Sequence, residues 1–142
     1  MGEPFGSWYH ATKFAVEGLS DSLRMELREF GIDVVVIQPG AIISEWNKIA
    51  REGLRKFSGN GAYGASALAY AKFMETADGG RLPSQPSVVA KTIVKAVTAR
   101  KPKTRYAIGG GAKLALFVRR VLSDRAFDAI LLMNTRPAKK SS

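Results

Sequence analysis

The chain has 142 residues, 46% of them apolar, which is enough length and material for one core. It has no cysteine and a single histidine, His10. That excludes disulfide staples, thiolate metal sites, thiol catalysis and histidine-based triads, and with them most hydrolase and metalloenzyme chemistry. The net charge is +10, but eleven Lys/Arg against Asp124 and Asp128 place +9 of it between Arg100 and Ser142. The basicity therefore belongs to a terminal region and does not form a nucleic-acid reading surface.

Residues Met1–Ser7 lack the basic-then-apolar pattern of a leader. No apolar run approaches the length of a membrane span, and the expected compartment is the cytoplasm. From Tyr9 to Phe30 the sequence reads as a helix: Ala15, Leu19, Leu23 and Leu27 recur at i, i+4, with Glu17, Asp21, Arg24 and Arg28 around the stripe. Gly31 stands where a helix closes in a left-handed residue. Asp33–Gln38 holds four consecutive β-branched residues, Val34 to Ile37, suited to a strand buried on both faces of a parallel sheet. Pro39-Gly40 ends it.

Residues 41–86 read as a long insertion with helices near Ser44–Phe57 and Ser66–Ala77. Ser87 is expected to cap a helix running to Thr98, Lys101-Pro102-Lys103 is a turn, and Arg105–Ile108 is a second strand. Helices near Lys113–Leu122 and Arg125–Met133 follow. The fold class is α/β, with two parallel strands at about 33–38 and 104–108 and flanking helices. Residues 1–136 form the domain and 137–142 a disordered basic tail. Two strands are few for such a fold, and the chain reads as part of a larger sheet.

The chemistry-bearing cluster is Tyr9-His10-Ala11-Thr12-Lys13. At i, i+4 on a helix Tyr9 and Lys13 lie on one face, one turn apart. An ammonium there favours the phenolate of Tyr9, and a phenol so tuned can exchange a proton with a carbinol oxygen. Lysine can also donate hydrogen bonds to ribose hydroxyls. A Y-x-x-x-K pair alone is a common chance pattern, and the order of features around it adds the information.

Tyr9, Lys13, Gly18, Leu19, Leu23, Glu26 and Leu27, the Val34–Ile37 strand, and Pro39-Gly40 together resemble the short-chain dehydrogenase/reductase family over essentially the whole chain. The likeness is strongest over residues 8–44 and fits the carboxyl-terminal part of that family's Rossmann-like, doubly wound parallel sheet. The resemblance implies NAD- or NADP-dependent interconversion of an alcohol and a carbonyl. Tyr9 is then the acid/base and Lys13 its tuner and ribose anchor. Pro39, Gly40, Ile42 and Ser44 form the nicotinamide shelf, with the family's threonine position falling on Ser44. The likeness is to the branch acting on steroids, retinoids and other lipophilic alcohols, a branch of a usually homo-oligomeric family.

Other family features are missing from these residues. The Gly-rich pyrophosphate turn, the residue that selects NAD or NADP, the asparagine of the preceding helix and the catalytic serine are not found, and Ser7 is too close to Tyr9 to replace the last. The rival reading is therefore a non-catalytic fragment, at most a binding module. Gly59-Asn60-Gly61-Ala62-Tyr63-Gly64 satisfies G-x-G-x-x-G literally, but it follows a helix and reads as a flexible segment of the substrate loop. Gly109-Gly110-Gly111 reads as a linker. His10 is expected to face away from Tyr9, because neighbours on a helix point about 100° apart. Trp46, Phe57, Tyr63, Tyr70 and Phe73 line a lipophilic pocket or pack the insertion. The basic terminal helices read as a solvated face over a small core, or as a peripheral membrane contact.

Overall fold

The computed structural model describes residues 2–80 and 82–136; the tail expected over 137–142 lies outside them. Helix α1 spans Ser7–Glu26 and tightens into a 3-10 turn over Leu27–Phe30. Gly31 closes it at φ 69, the left-handed stop foreseen from its position. The hydroxyls of Thr12 and Ser20 donate back to the carbonyls of Tyr9 and Val16 at 2.7 and 2.8 Å, so neither competes with the helix from outside it.

Strands β1 (Val36–Pro39) and β2 (Arg105–Ile108) pair in parallel, in register from Val36↔Arg105 to Pro39↔Ile108. The expected strand at 33–38 is thus displaced: pairing starts at Val36, because β2 starts at Arg105. Proline is tolerated because the amides of Val36 and Gly40 bond β2, to Thr104 O at 2.9 Å and Ile108 O at 2.8 Å. By the period of two, Pro39 turns its missing N–H away from that ladder.

Between the strands run α2 (Trp46–Ser58), α3 (Gly64–Asp78) and α4 (Ser87–Thr98). α2 and α3 form a hairpin tied by Arg51–Asp78 and Asn47–Asp78 pairs and by Arg55 to Glu75 at 3.1 Å. The Gly59–Gly64 run forms the turn that closes this hairpin. Gly64 is buried, and a Cβ on it would stand 2.5 Å from the Gly59 carbonyl. Helix α4 packs on both strands. Its cap is Pro86, and Ser87 lies inside the first turn without a capping bond, contrary to expectation. Helices α5 (Ala112–Val121) and α6 (Asp124–Met133) finish the described chain, the latter capped by Ser123 Oγ accepting from Ala126 N–H at 3.4 Å.

Among the described residues the buried apolar side chains are Ala67, Tyr70, Ala71, Ala96, Ala112 and Phe127. Four of the six are alanines, so the core is thin. α1 has no buried residue at all; Leu19 is 59% exposed, while Leu23 and Leu27 are half-buried.

Polar contacts tie α1 to the sheet. Gln38 and Arg105 share one face of the β1–β2 pair, since Arg105 pairs with Val36 and Gln38 lies two residues on. Gln38 Nε2 donates to Glu17 Oε1 at 2.8 Å. Arg105 donates through Nε to Glu17 Oε2 at 3.1 Å and through a terminal nitrogen to Asp21 Oδ1 at 2.6 Å. Arg24 donates to that same Asp21 oxygen. The Arg24 and Arg105 guanidinia hold the Asp21 carboxyl below its ordinary value of 3.8, and the two carboxylates raise Arg105 in turn.

A carboxyl whose folded value is depressed contributes stability at pH above its unfolded value, and that contribution is lost as pH falls through the folded value. Thermal melts taken from pH 5 downward should therefore show a loss of midpoint beginning near the ordinary value of 3.8. Asp21→Asn should lower the midpoint at neutral pH and flatten that acid limb. An unchanged acid limb in the variant would mean that Asp21 does not contribute to it.

Candidate active site

Tyr9 lies in the first turn of α1, 42% exposed. Lys13, one turn on, sets its Nζ over the Tyr9 ring at 5.4 Å from the centroid, a cation–π placement that brings ammonium and phenol onto one face. Trp46, the first residue of α2, leans on the same ring at 5.0 Å between centroids and 42° between planes, itself 47% exposed. His10 departs from expectation. Its ring is half-buried and meets Tyr9 edge-on at 5.3 Å, folding back over the helix entry at Gly6.

Pro39 and Gly40 leave the end of β1, and Ala41–Ile43 run on as an extended shelf. The Ala41 amide donates to Gly110 O at 3.0 Å, the Ile43 amide to Ser84 O at 2.9 Å, and the Ser84 amide returns a bond to Ala41 O at 2.9 Å. The amide between them, Ile42 N–H, has no protein acceptor among the described residues. Ser44 is exposed at the bend before α2. The turn Gly109-Gly110-Gly111, read from sequence as a linker, underlies this shelf. Positive φ of 78 at Gly109 and 71 at Gly111 bends the chain so that Gly110 bridges Ala41. Gly40 is required by the close approach, since a Cβ on it would meet Gly110 O at 2.4 Å and Ala112 N at 2.9 Å.

The structure thus brings Tyr9, Lys13 and Trp46 together, and gathers Pro39, Gly40, Ile42 and Ser44 into one neighbouring stretch. No described hydrogen bond joins the two groups. Their link is the short run from Ser44 to Trp46. The aromatic set read from the insertion divides. Trp46 serves Tyr9, and Phe57 is exposed. Tyr63, Tyr70 and Phe73 pack the insertion together with Phe5, whose ring meets Tyr63 at 6.4 Å and Tyr70 at 5.9 Å. Burial and the Glu3 carboxylate, which accepts from Tyr70 O–H at 3.0 Å, hold the Tyr70 phenol above its ordinary value. The sequence reading missed the ties of Glu17, Asp21, Gln38 and Arg105. Their one signal was spacing, because Glu17 and Asp21 continue the Tyr9, Lys13 series at every fourth residue.

Lys13 offers an ammonium, Ile42 an amide N–H without an acceptor among the described residues and Ser44 an exposed hydroxyl, donors of the kind that ribose hydroxyls and a carboxamide would take. Among the described residues no group of acidic, His or Cys side chains could hold a metal.

Residues 1–55 match the family model described as short chain dehydrogenase. Among curated proteins, the chain is 34% identical over 123 residues to the probable short-chain type dehydrogenase/reductase VdlC of Helicobacter pylori, covering 86% of this chain and 44% of that protein. It is 32% identical over 152 aligned residues to retinol dehydrogenase 16 of Mus musculus, covering 96% and 46%. It is 30% identical over 143 to the NADPH-dependent 3-dehydrocapnine reductase of Ornithobacterium rhinotracheale, covering 100% and 49%. The chain spans about half the length of the curated relatives it matches.

Gly40→Ala should destabilise the protein by about 1–3 kcal/mol, the cost of overpacking a close contact. Urea unfolding of the variant checks this, and a midpoint equal to the parent's would show that the shelf yields freely.

Proposed function

We propose that this chain, which belongs to the short-chain dehydrogenase/reductase family, carries the acid/base machinery of an NAD(P)-dependent alcohol–carbonyl oxidoreductase. The observation that carries this reading is the accessible Tyr9 phenol with the Lys13 ammonium over its ring. The Tyr9 hydroxyl gives its proton to the substrate oxygen in reduction and takes it back in oxidation, and Lys13 favours the anion left behind. Bound at this site, the nicotinamide group supplies or accepts the hydride. Lys13 suits its ribose hydroxyls, and Ile42 N–H and the Ser44 hydroxyl suit its carboxamide. Trp46, pressed on Tyr9, gives the substrate side an apolar wall. That wall, with relatives named for retinol and for 17-beta-hydroxysteroid, supports a lipophilic alcohol as substrate.

One observation favours the second reading, a non-catalytic module. The Gly-rich turn that follows a strand and opens a helix, Gly109–Gly111, carries Leu114 at the third fingerprint position and is engaged with the shelf, its Gly110 O accepting from Ala41 N–H at 3.0 Å. The two readings separate in one assay. The purified protein is offered NAD or NADP with a panel of retinoid, steroid and short alcohols, and Tyr9→Phe is run beside it. Turnover that falls by about 10²–10⁴ in the variant supports the acid/base role. Turnover indifferent to Tyr9→Phe sinks that role, and a complete lack of turnover and of dinucleotide binding favours the module.

A peripheral membrane contact is proposed for α5 and α6. α5 exposes Leu114, Phe117 and Val121 beside Lys113 and Arg120, an arrangement that suits an anionic surface. No helix among the described residues is long and apolar enough to cross a membrane. Sedimentation with anionic vesicles should fall for Leu114→Glu combined with Phe117→Glu. Equal sedimentation of parent and variant would remove the contact.

A further inference from the structure

We propose that Arg105 is a positioning residue: by gripping Glu17 and Asp21 it sets the rotation of α1 against the sheet, and with it the presentation of Tyr9 and Lys13 beside the Pro39–Ser44 shelf. This rests on the reading of Tyr9 and Lys13 given above, and adds a residue from the far strand to that site. Four residues advance a helix by about 400°, so positions four apart drift by only about 40°. Tyr9, Lys13, Glu17 and Asp21 therefore form one slowly turning stripe. The upper half of the stripe carries the chemistry and the lower half is tied to the sheet.

The ties are placed to fix rotation. Arg105 reaches two successive turns of α1, at Glu17 and Asp21, and two points fix an angle where one would leave a pivot. The two oxygens of Glu17 are used separately, one by Gln38 of β1 and one by Arg105 of β2. One carboxylate thus spans both strands, and Gln38 directly precedes Pro39, where the shelf begins. Partly exposed ion pairs contribute little to stability, but no side chain of α1 is fully buried, so the apolar hold that competes with them in setting its angle is weak. A guanidinium is required for this, because its planar fork can serve two carboxylates at once and an ammonium acts as a point charge.

The test reads geometry and needs no turnover, so it can fail while the proposed reaction stands, or succeed while the reaction fails. With ring-labelled tyrosine, tryptophan and phenylalanine, nuclear Overhauser contacts between Tyr9 and Trp46 report the seat of α1. Contacts between Tyr70 and Phe73, both within α3, report the insertion alone. Arg105→Ala should weaken the Tyr9–Trp46 contacts severalfold, keep those of Tyr70–Phe73 and leave the far-ultraviolet helix signal unchanged. Arg105→Lys should restore them in part. Should Arg105→Ala fail to fold, Glu17→Gln decides in its place. It preserves shape and removes the charge, and the same selective weakening is expected. Full retention of the Tyr9–Trp46 contacts in either folded variant overturns the proposal, and so does a parallel loss of both sets of contacts in Glu17→Gln.

Discussion

Helix α1 carries the Tyr9–Lys13 pair at one end and its attachment near the other, and the attachment is electrostatic. Glu17 and Asp21 meet Arg105 and Gln38 across the face of two short strands, while every apolar side chain of the helix stays at least partly open to solvent. Hydrophobic burial is non-directional and tolerates sliding; hydrogen-bonded charges do not, since their geometry weakens steeply off axis. A helix held this way has a defined orientation without a deep core beneath it. The strand register then follows the same constraint. Val36 stands opposite Arg105, an even offset from Gln38, so Gln38 and Arg105 share a face, and that register delivers Pro39 and Gly40 to the end of the ladder.

From that end the backbone takes over from side chains. The shelf Ala41–Ile43 is bonded alternately to Gly110 and Ser84, so its extended form is imposed by neighbours from two different loops. Glycine recurs where backbones must touch, at Gly40 and through Gly109–Gly111. The helical hairpin α2–α3 then brings Trp46 back to Tyr9. The site is thus assembled from three pieces of chain, and the pieces meet through one indole ring and a shared sheet face.

Much of this was legible from residues alone. Valine and isoleucine in succession marked β1, the fourfold spacing of leucines marked α1, and Gly31 marked its end, because local preference and tertiary context agree at those places. The errors fell where partners distant in sequence decide the outcome. β1 starts later than its apolar run because β2 is only four residues long. Gly109–Gly111 resembles a linker until its contact with Ala41 is seen. At Ser87 the cause is local instead, since the neighbouring Pro86 takes the capping place. Glu17 and Asp21 have the pattern of a solvated helix face, and only the position of Arg105 shows otherwise. Tyr9 and Lys13 were legible as a pair because their relation is local, whereas Trp46 joins them through a fold that no local pattern encodes.

Phe5 is the only non-glycine among the described residues with a positive φ, at 63, a conformation that disfavours a bulky residue by about 1–2 kcal/mol. Its ring holds the strained backbone in place against Tyr63 and Tyr70, beside the Glu3–Tyr70 bond. The chain just ahead of α1 is therefore pinned to α3, while Trp46 of α2 rests on Tyr9 a few residues later. The hairpin thus meets the chain at and just ahead of the start of α1 in two places, the Phe5 cluster and the Trp46–Tyr9 contact. Strain at Phe5, and the ring contacts that hold it, set the entry of the chain into α1 four residues before Tyr9.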